Sequence, residues 1–243
     1  MDIKNNLPIP KPAASIAEVL ERMRAINAVL PPADGIACFN WLYYKTTEAM
    51  AHAVDAGRFE DRHFLTRLDV LFANRYFAAL SAYAQNPQHA PRAWQALFDA
   101  RAQGQVAPLH FALAGMNAHI NFDLSQSVVA TCAELGLQLA IGSRQHRDYL
   151  AVNDVLASLE PQLRPWLAPR WASIGGMPVE RAEDVAALWS IRRARDVAWD
   201  CAEVLWALAP DPRLHGNLVT CLDRLVGLTG RGLLLPPRLL PTV

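Results

Sequence analysis

His119 and Asp123 stand four residues apart in a stretch that is otherwise almost free of charge. On a helix this spacing puts an imidazole and a carboxylate on one face, where they can ligate one metal ion or act as an oriented acid–base pair. A second carboxylate, Asp69, falls on a helical face with Leu65, Phe72, Ala73, Tyr76 and Leu80, so it points toward apolar packing. A carboxylate there needs a cation, a metal or several donors, or it must protonate. The structural solution is an ion pair with an arginine of a later long helix, with Asp69 buried and paired and its loss destabilising. The functional solution is one site shared with His119 and Asp123. Asn117, Asn121 and Asn153 are also polar residues in apolar surroundings. They either stitch helices together or join Tyr43, Tyr76 and Met116 around a small-molecule pocket.

The element that must position these groups runs from Pro108 to Ala133. Between Ala102 and Ala133 the one formal charge is Asp123, and the apolar residues do not keep to a single stripe. Such a helix is packed on most of its circumference and belongs at the centre of the fold. At 100° per residue His110, Asn117 and Asn121 share one side, with His119 and Asp123 roughly opposite.

Around it the chain reads as helices separated by proline and glycine. Pro8, Pro10 and Pro12 make residues 1–12 an extended arm. Ser15 and Glu18 fit a capping box for a first helix that Pro31-Pro32 ends. A second, rich in aromatics, spans Gly35 to Ala56, and a third Asp61 to Ala84. A short helix from Pro91 to Ala100 precedes the central one. Another begins after Ser143 and is expected to end at Glu160-Pro161 and Arg164-Pro165. A connection over Ala168–Met177 leads to a long helix from Pro178 to about Leu208, carrying Trp189, Trp199 and Trp206. The last starts at Asp211-Pro212 and is expected to close on Gly230 and Gly232. No strand alternation, hairpin signal or fixed repeat interrupts the pattern. The expected fold is all-α: one bundle of about eight helices over residues 13–230 around a buried central helix at about 108–133, with an apolar, proline-broken tail at 231–243.

Of 243 residues, 52% are hydrophobic and 19% charged, with 23 basic and 23 acidic side chains. That balance offers no long-range attraction to nucleic acid or anionic membrane. No apolar run approaches the ~20 residues that span a bilayer, and the N-terminus has no apolar signal core. Cys38, Cys132, Cys201 and Cys221 are widely spaced and read as reduced, buried thiols of a cytoplasmic protein. Serine-hydrolase elbows, zincin motifs, phosphate loops and dinucleotide fingerprints are missing. Glu60-Asp-Arg-His63 stands alone, so the paired Glu-x-x-His motifs of a di-iron bundle are missing too.

The segment Leu113-Ala-Gly-Met-Asn-Ala-His-Ile-Asn-Phe-Asp-Leu124 resembles the hallmark of a bacterial family of unknown function numbered five-nine-nine-five. Arg67–Phe77, His146–Leu156 and Ile191–Trp199 support the likeness, which covers most of the chain from Gly35 to about Leu208. The resemblance implies a soluble, mostly helical bacterial protein and brings no agreed activity.

Two classes of function follow from the residues. In the enzyme reading Asp69, His119 and Asp123 converge in an internal cavity lined by Tyr43, Tyr76 and Met116, with Asn117, Asn121 and Asn153 contributing polar contacts. There they hold one divalent metal, Fe(II), Mn(II) or Zn(II), or act as acid–base groups on a small, fairly apolar metabolite. The alternative is a helical binding protein for a hydrophobic small molecule, without chemistry, or a structural or interaction protein with a buried polar network. A small-molecule ligand is expected in either of the first two, and the apolar tail would suit a homodimer contact.

Overall fold

The chain is described over residues 7–167 and 191–235 in a computed structural model, with the backbone alone for 160–167. Helices open where the chain supplies an acceptor for the first unpaired amides. Helix α1 (Ile16–Val29) starts at Ser15, whose Oγ accepts from Glu18 N at 3.2 Å. The Glu18 carboxylate turns back to Ala14 N rather than to Ser15, so the capping box is displaced by one residue. Asp34 caps α2 (Gly35–Asp55) and Asp61 caps α3 (Arg62–Gln85). A 3-10 turn (Pro87–His89) and the short α4 (Arg92–Ala100) follow.

The central element is one rod in three parts. Helix α5 (Pro108–Ala118) passes without a cap into a π-helical segment (His119–Leu124), and that passes into α6 (Ser125–Leu135), which Gly136 ends in the left-handed region at φ 64°. Beyond it lie α7 (Arg144–Leu167), α8 (Ile191–Ala207) and α9 (Pro212–Leu233), the last capped by Asp211. The fold is all-α, and with the three-part rod taken as one helix the expected number of about eight holds among the described residues. None of these helices is long and apolar enough to cross a membrane.

The rod packs as its lack of charge requires. Its α5 part touches α2, α4 and α9, the π segment α3, α8 and α9, and α6 touches α3 and α8. Ala112 and Leu124 are buried and Met116 is half-buried. Two hydrophobic clusters result. One gathers α1, the first half of α2, the second half of α3, α4, α5 and Val226 of α9. The other gathers the end of α2, the start of α3, Ile120 and Leu124, α6, α7 and α8. Phe72 packs against both, so it marks the seam between them.

Four expectations change. Helix α7 runs past Pro161 and Pro165 to Leu167; each proline forfeits one backbone hydrogen bond, which a long helix can absorb. Helix α9 runs past Gly230 to Leu233. Its glycines serve a close crossing with α4: a Cβ on Gly227 would lie 2.7 Å from Arg92 O, and one on Gly230 3.0 Å from Ala96 Cβ. The central helix contains a π segment where uninterrupted α-helix was expected. Of the four cysteines, all free, Cys38 and Cys132 are buried while Cys221 is exposed. The expected arm is extended from Leu7 to Ala13 and tied down by Ser81 Oγ donating to Pro10 O at 3.1 Å and by Asn74, which bonds both polar backbone groups of Ala13. Residues 1–6, the connection Ala168–Met177, the helix start at Pro178, Trp189 and the tail from 236 to 243 lie outside the described residues.

Gly115 sets the approach of α2 to the rod. A Cβ there would run into the Phe39 ring, with Phe39 Cβ itself at 2.7 Å. Phe39 is buried and walled in by Tyr43, Tyr76 and Trp94, so it cannot swing away. Gly115→Ala is therefore expected to destabilise by about 1–3 kcal/mol despite the helix-propensity gain of alanine. Urea denaturation checks it, and a variant as stable as wild type would show that Phe39 has room to move.

Candidate active site

The π segment begins at His119 and contains Asp123. A π turn bonds i to i+5 and is wider than an α turn, and such insertions gather at functional sites. At its exit the carbonyls of Phe122 and Asp123 accept from Gln126 Nε2 at 2.7 Å and Ser127 Oγ at 2.8 Å. These bonds help hold the local geometry. His119 and Asp123 still face the same way, and both are buried. Asp123 Oδ2 accepts from Trp94 Nε1 at 2.9 Å and pairs with His119 Nδ1 at 3.2 Å. A carboxylate oxygen accepts, so Nδ1 carries the hydrogen and Nε2 keeps its lone pair. Nε2 is buried and without a hydrogen-bond partner.

Aromatic rings fix the imidazole in place. Phe72 stacks on it at 3.4 Å between centroids and 5° between planes, and Tyr43 meets it edge-on at 4.3 Å. Burial pulls the His119 pKa below its ordinary value, and the bond and charge of Asp123 only partly oppose this. At neutral pH the ring is therefore a neutral imidazole with a free acceptor.

Nε2 is not the only unpartnered atom here. Asp69 Oδ2 is also buried without a hydrogen bond among the described residues, and Tyr43 Oη and Thr47 Oγ1 have at most each other. Their four side chains line one cavity of about 140 Å³ at the seam between the two clusters. Phe39, Phe72, Leu68, Ile120 and Leu124 form much of its wall, and Met116 and Arg195 also reach it. Asp69 is half-buried as a residue, but burial of its carboxyl, with no opposing cation, pushes its pKa up to about 7. Burial, then the charges of Asp69 and Asp123, push the Tyr43 phenol well above its ordinary value, so it stays a hydroxyl. A carboxyl that exchanges its proton near pH 7 and a neutral imidazole, lining one cavity, are groups that general acid–base catalysis can use.

Comparison with known proteins adds a family to this geometry. A family model described as a family of unknown function (DUF5995) matches residues 16–236. The chain belongs to that family. No curated protein and no solved structure matches this DUF5995 chain. The chemistry of this member therefore has to be argued from its own residues.

Of the residues expected at the site, His119, Asp69, Tyr43 and Met116 line the cavity, and Asp123 stands directly behind His119. The others do structural work elsewhere. Asn117 Nδ2 donates to Val226 O at 2.8 Å and its Oδ1 accepts from Asn121, stitching the rod to α9. His110 Nδ1 faces Leu233 O on the same side, as the helical spacing predicts. Asn153 accepts from Arg195 Nε at 2.9 Å. Tyr76 is buried under Phe39 and Trp94, outside the cavity lining. The expected ion pair of Asp69 is replaced by isolation: among the described residues no cation pairs with it. Arg195, the buried arginine of α8, spends its bonds on Asn153 and on Tyr149 O at 2.7 Å, with its guanidinium 4.2 Å over the Tyr149 ring.

Sequence reasoning did not single out Thr47, Phe72 as the stacking partner, Trp94 or Arg195. Thr47 was within reach, since it follows Tyr43 by one helical turn. Trp94 was not, because its partner lies 29 residues away on another helix. The trio of His119, Asp123 and Asp69 does not form a chelate here. Among the described residues no group of three His, Cys, Asp or Glu side chains is placed to hold a metal ion, and Asp123 Oδ2 already takes two neighbours.

Proposed function

We propose that this protein is an acid–base enzyme acting on a small, mostly apolar molecule bound at the seam of the two clusters. His119 Nε2 takes a proton from the substrate, Asp123 holds the ring in the tautomer that leaves Nε2 free, and Asp69 supplies or receives a proton from the carboxyl form. The observation that carries this reading is the pinned imidazole: Nδ1 is committed to Asp123 while the buried Nε2 is left without a partner. Buried polar atoms are nearly always satisfied, and an orphan beside a cavity points to a ligand group that completes it. The free thiols, Cys221 exposed among them, support a reducing, cytoplasmic setting. The apolar wall also supports a binding protein without chemistry, and one experiment separates the two.

The protein is incubated in D2O with a panel of small apolar acids, ketones and phenols, and C–H exchange is followed by NMR. Exchange into at least one compound is expected, with His119→Gln slower by about 10²- to 10⁴-fold, the range for a positioned general base. Compounds that bind without exchange in wild type would sink the enzyme reading and leave the binding one.

A further inference from the structure

Arg195 is the cavity's remaining charged group, and it is 6% exposed. Its Nε and Nη2 donate to Asn153 Oδ1 and Tyr149 O, both neutral acceptors, while Nη1 has no partner among the described residues. Tyr149 Oη donates to the Arg195 backbone carbonyl at 2.6 Å, so the residue is anchored at both ends. No carboxylate among the described residues pairs with this guanidinium. A buried charge is ordinarily paired, and a guanidinium with free donors matches a carboxylate. The other titratable groups of the lining do not supply that partner: Asp69 pairs with no cation among the described residues, His119 is turned toward Asp123, and Tyr43 stays a hydroxyl.

We infer that the ligand of this cavity is a small monocarboxylate with a compact apolar body, its carboxylate seated on Arg195 and its body against Leu68, Phe72, Ile120 and Leu124. The inference rests on the proposed site and names the substrate class for it. Size agrees with the class. The cavity of about 140 Å³ is close to the ~150 Å³ that accepts one benzene ring in an engineered apolar cavity. A single ring or a branched chain of similar bulk therefore fills it, with the reactive carbon held between the carboxylate and His119.

The test is calorimetric titration of the full chain with benzoate, phenylacetate and isobutyrate, and with benzamide and benzyl alcohol as neutral counterparts. At least one carboxylate is expected to bind tenfold or more tighter than its neutral counterpart at pH 7. Arg195→Lys keeps the charge but loses the planar fork, and it is expected to weaken that carboxylate about tenfold while leaving benzyl alcohol unchanged. Equal or tighter binding of the neutral compounds, or no carboxylate binding, overturns the inference even if Arg195→Lys fails to fold, because the wild-type comparison alone decides it. Carboxylate binding without proton exchange would overturn the enzyme reading and keep this one. Exchange of neutral compounds with no carboxylate preference would do the reverse.

Discussion

Asp69→Asn is expected to stabilise the protein at pH 8 by about 2 kcal/mol and to leave its stability at pH 4 unchanged. The cause is the unpaired carboxyl on α3. Burial holds its pKa near 7 in the folded chain against an ordinary 3.8. Below 3.8 the group is protonated in both states and costs nothing. As pH rises from 3.8 to 7 the unfolded state ionises first, so stability is lost across that window and stays lost above it. A full shift of this size corresponds to about 4 kcal/mol, and the partial exposure of Asp69 reduces the expectation to about half. The groups facing it do not reverse the sign: Tyr43 on α2 stays neutral, His119 is neutral with Asp123 behind it, and the charge of Arg195 on α8 does not enter the balance that holds the carboxyl up. Urea unfolding of wild type and variant at pH 4, 6 and 8 measures it. A variant less stable than wild type at pH 8 would mean that Asp69 is paired after all. A stabilising substitution at a cavity residue that abolishes proton exchange would carry the signature of a site that holds an unfavourable group for function.

The class of fold and its centre were legible because they rest on local pattern. The nearly uncharged run from Pro108 to Ala133 reads as a buried helix, and the spacing of His110, Asn117 and Asn121 against His119 and Asp123 placed two faces correctly. What was not legible depends on partners distant in sequence. Whether Asp69 meets a cation is settled by where α8 lies, and Arg195 turns to Asn153 and Tyr149 instead. Trp94 reaches Asp123 from another helix. The π segment has no composition of its own, since Ile-Asn-Phe would also continue an α-helix. Gly230 misled because glycine ends helices in isolation, yet α9 needs glycine there to meet α4.

Asp123→Asn separates the site from the core network most sharply. Wild-type Asp123 presents Oδ2 to two donors, Trp94 Nε1 and His119 Nδ1. The amide that replaces it has one acceptor oxygen and one donor nitrogen. Both donors meet the same oxygen, so the amide oxygen set in the place of Oδ2 accepts from Trp94 Nε1 and His119 Nδ1 as before. The hydrogen therefore stays on Nδ1, but the negative charge that stabilises the imidazolium formed when Nε2 takes a proton is gone. Exchange activity is expected to fall by about 10²- to 10⁴-fold, while stability changes by no more than about 1 kcal/mol, because both donors keep their acceptor. Asp123→Ala, by contrast, strands both the indole N–H and the imidazole N–H and is expected to cost about 1–3 kcal/mol for each. The decisive readout is the pH titration of the His119 ring by ¹⁵N NMR, which should report hydrogen on Nδ1 in both proteins and a lower His119 pKa in Asp123→Asn than in wild type. A purely structural bond would leave any measured activity in step with stability across the two variants. Loss of activity in the stable asparagine variant, together with the lowered His119 pKa, is the result that a general base at Nε2 demands; a lowered pKa with unchanged activity would remove His119 from the mechanism.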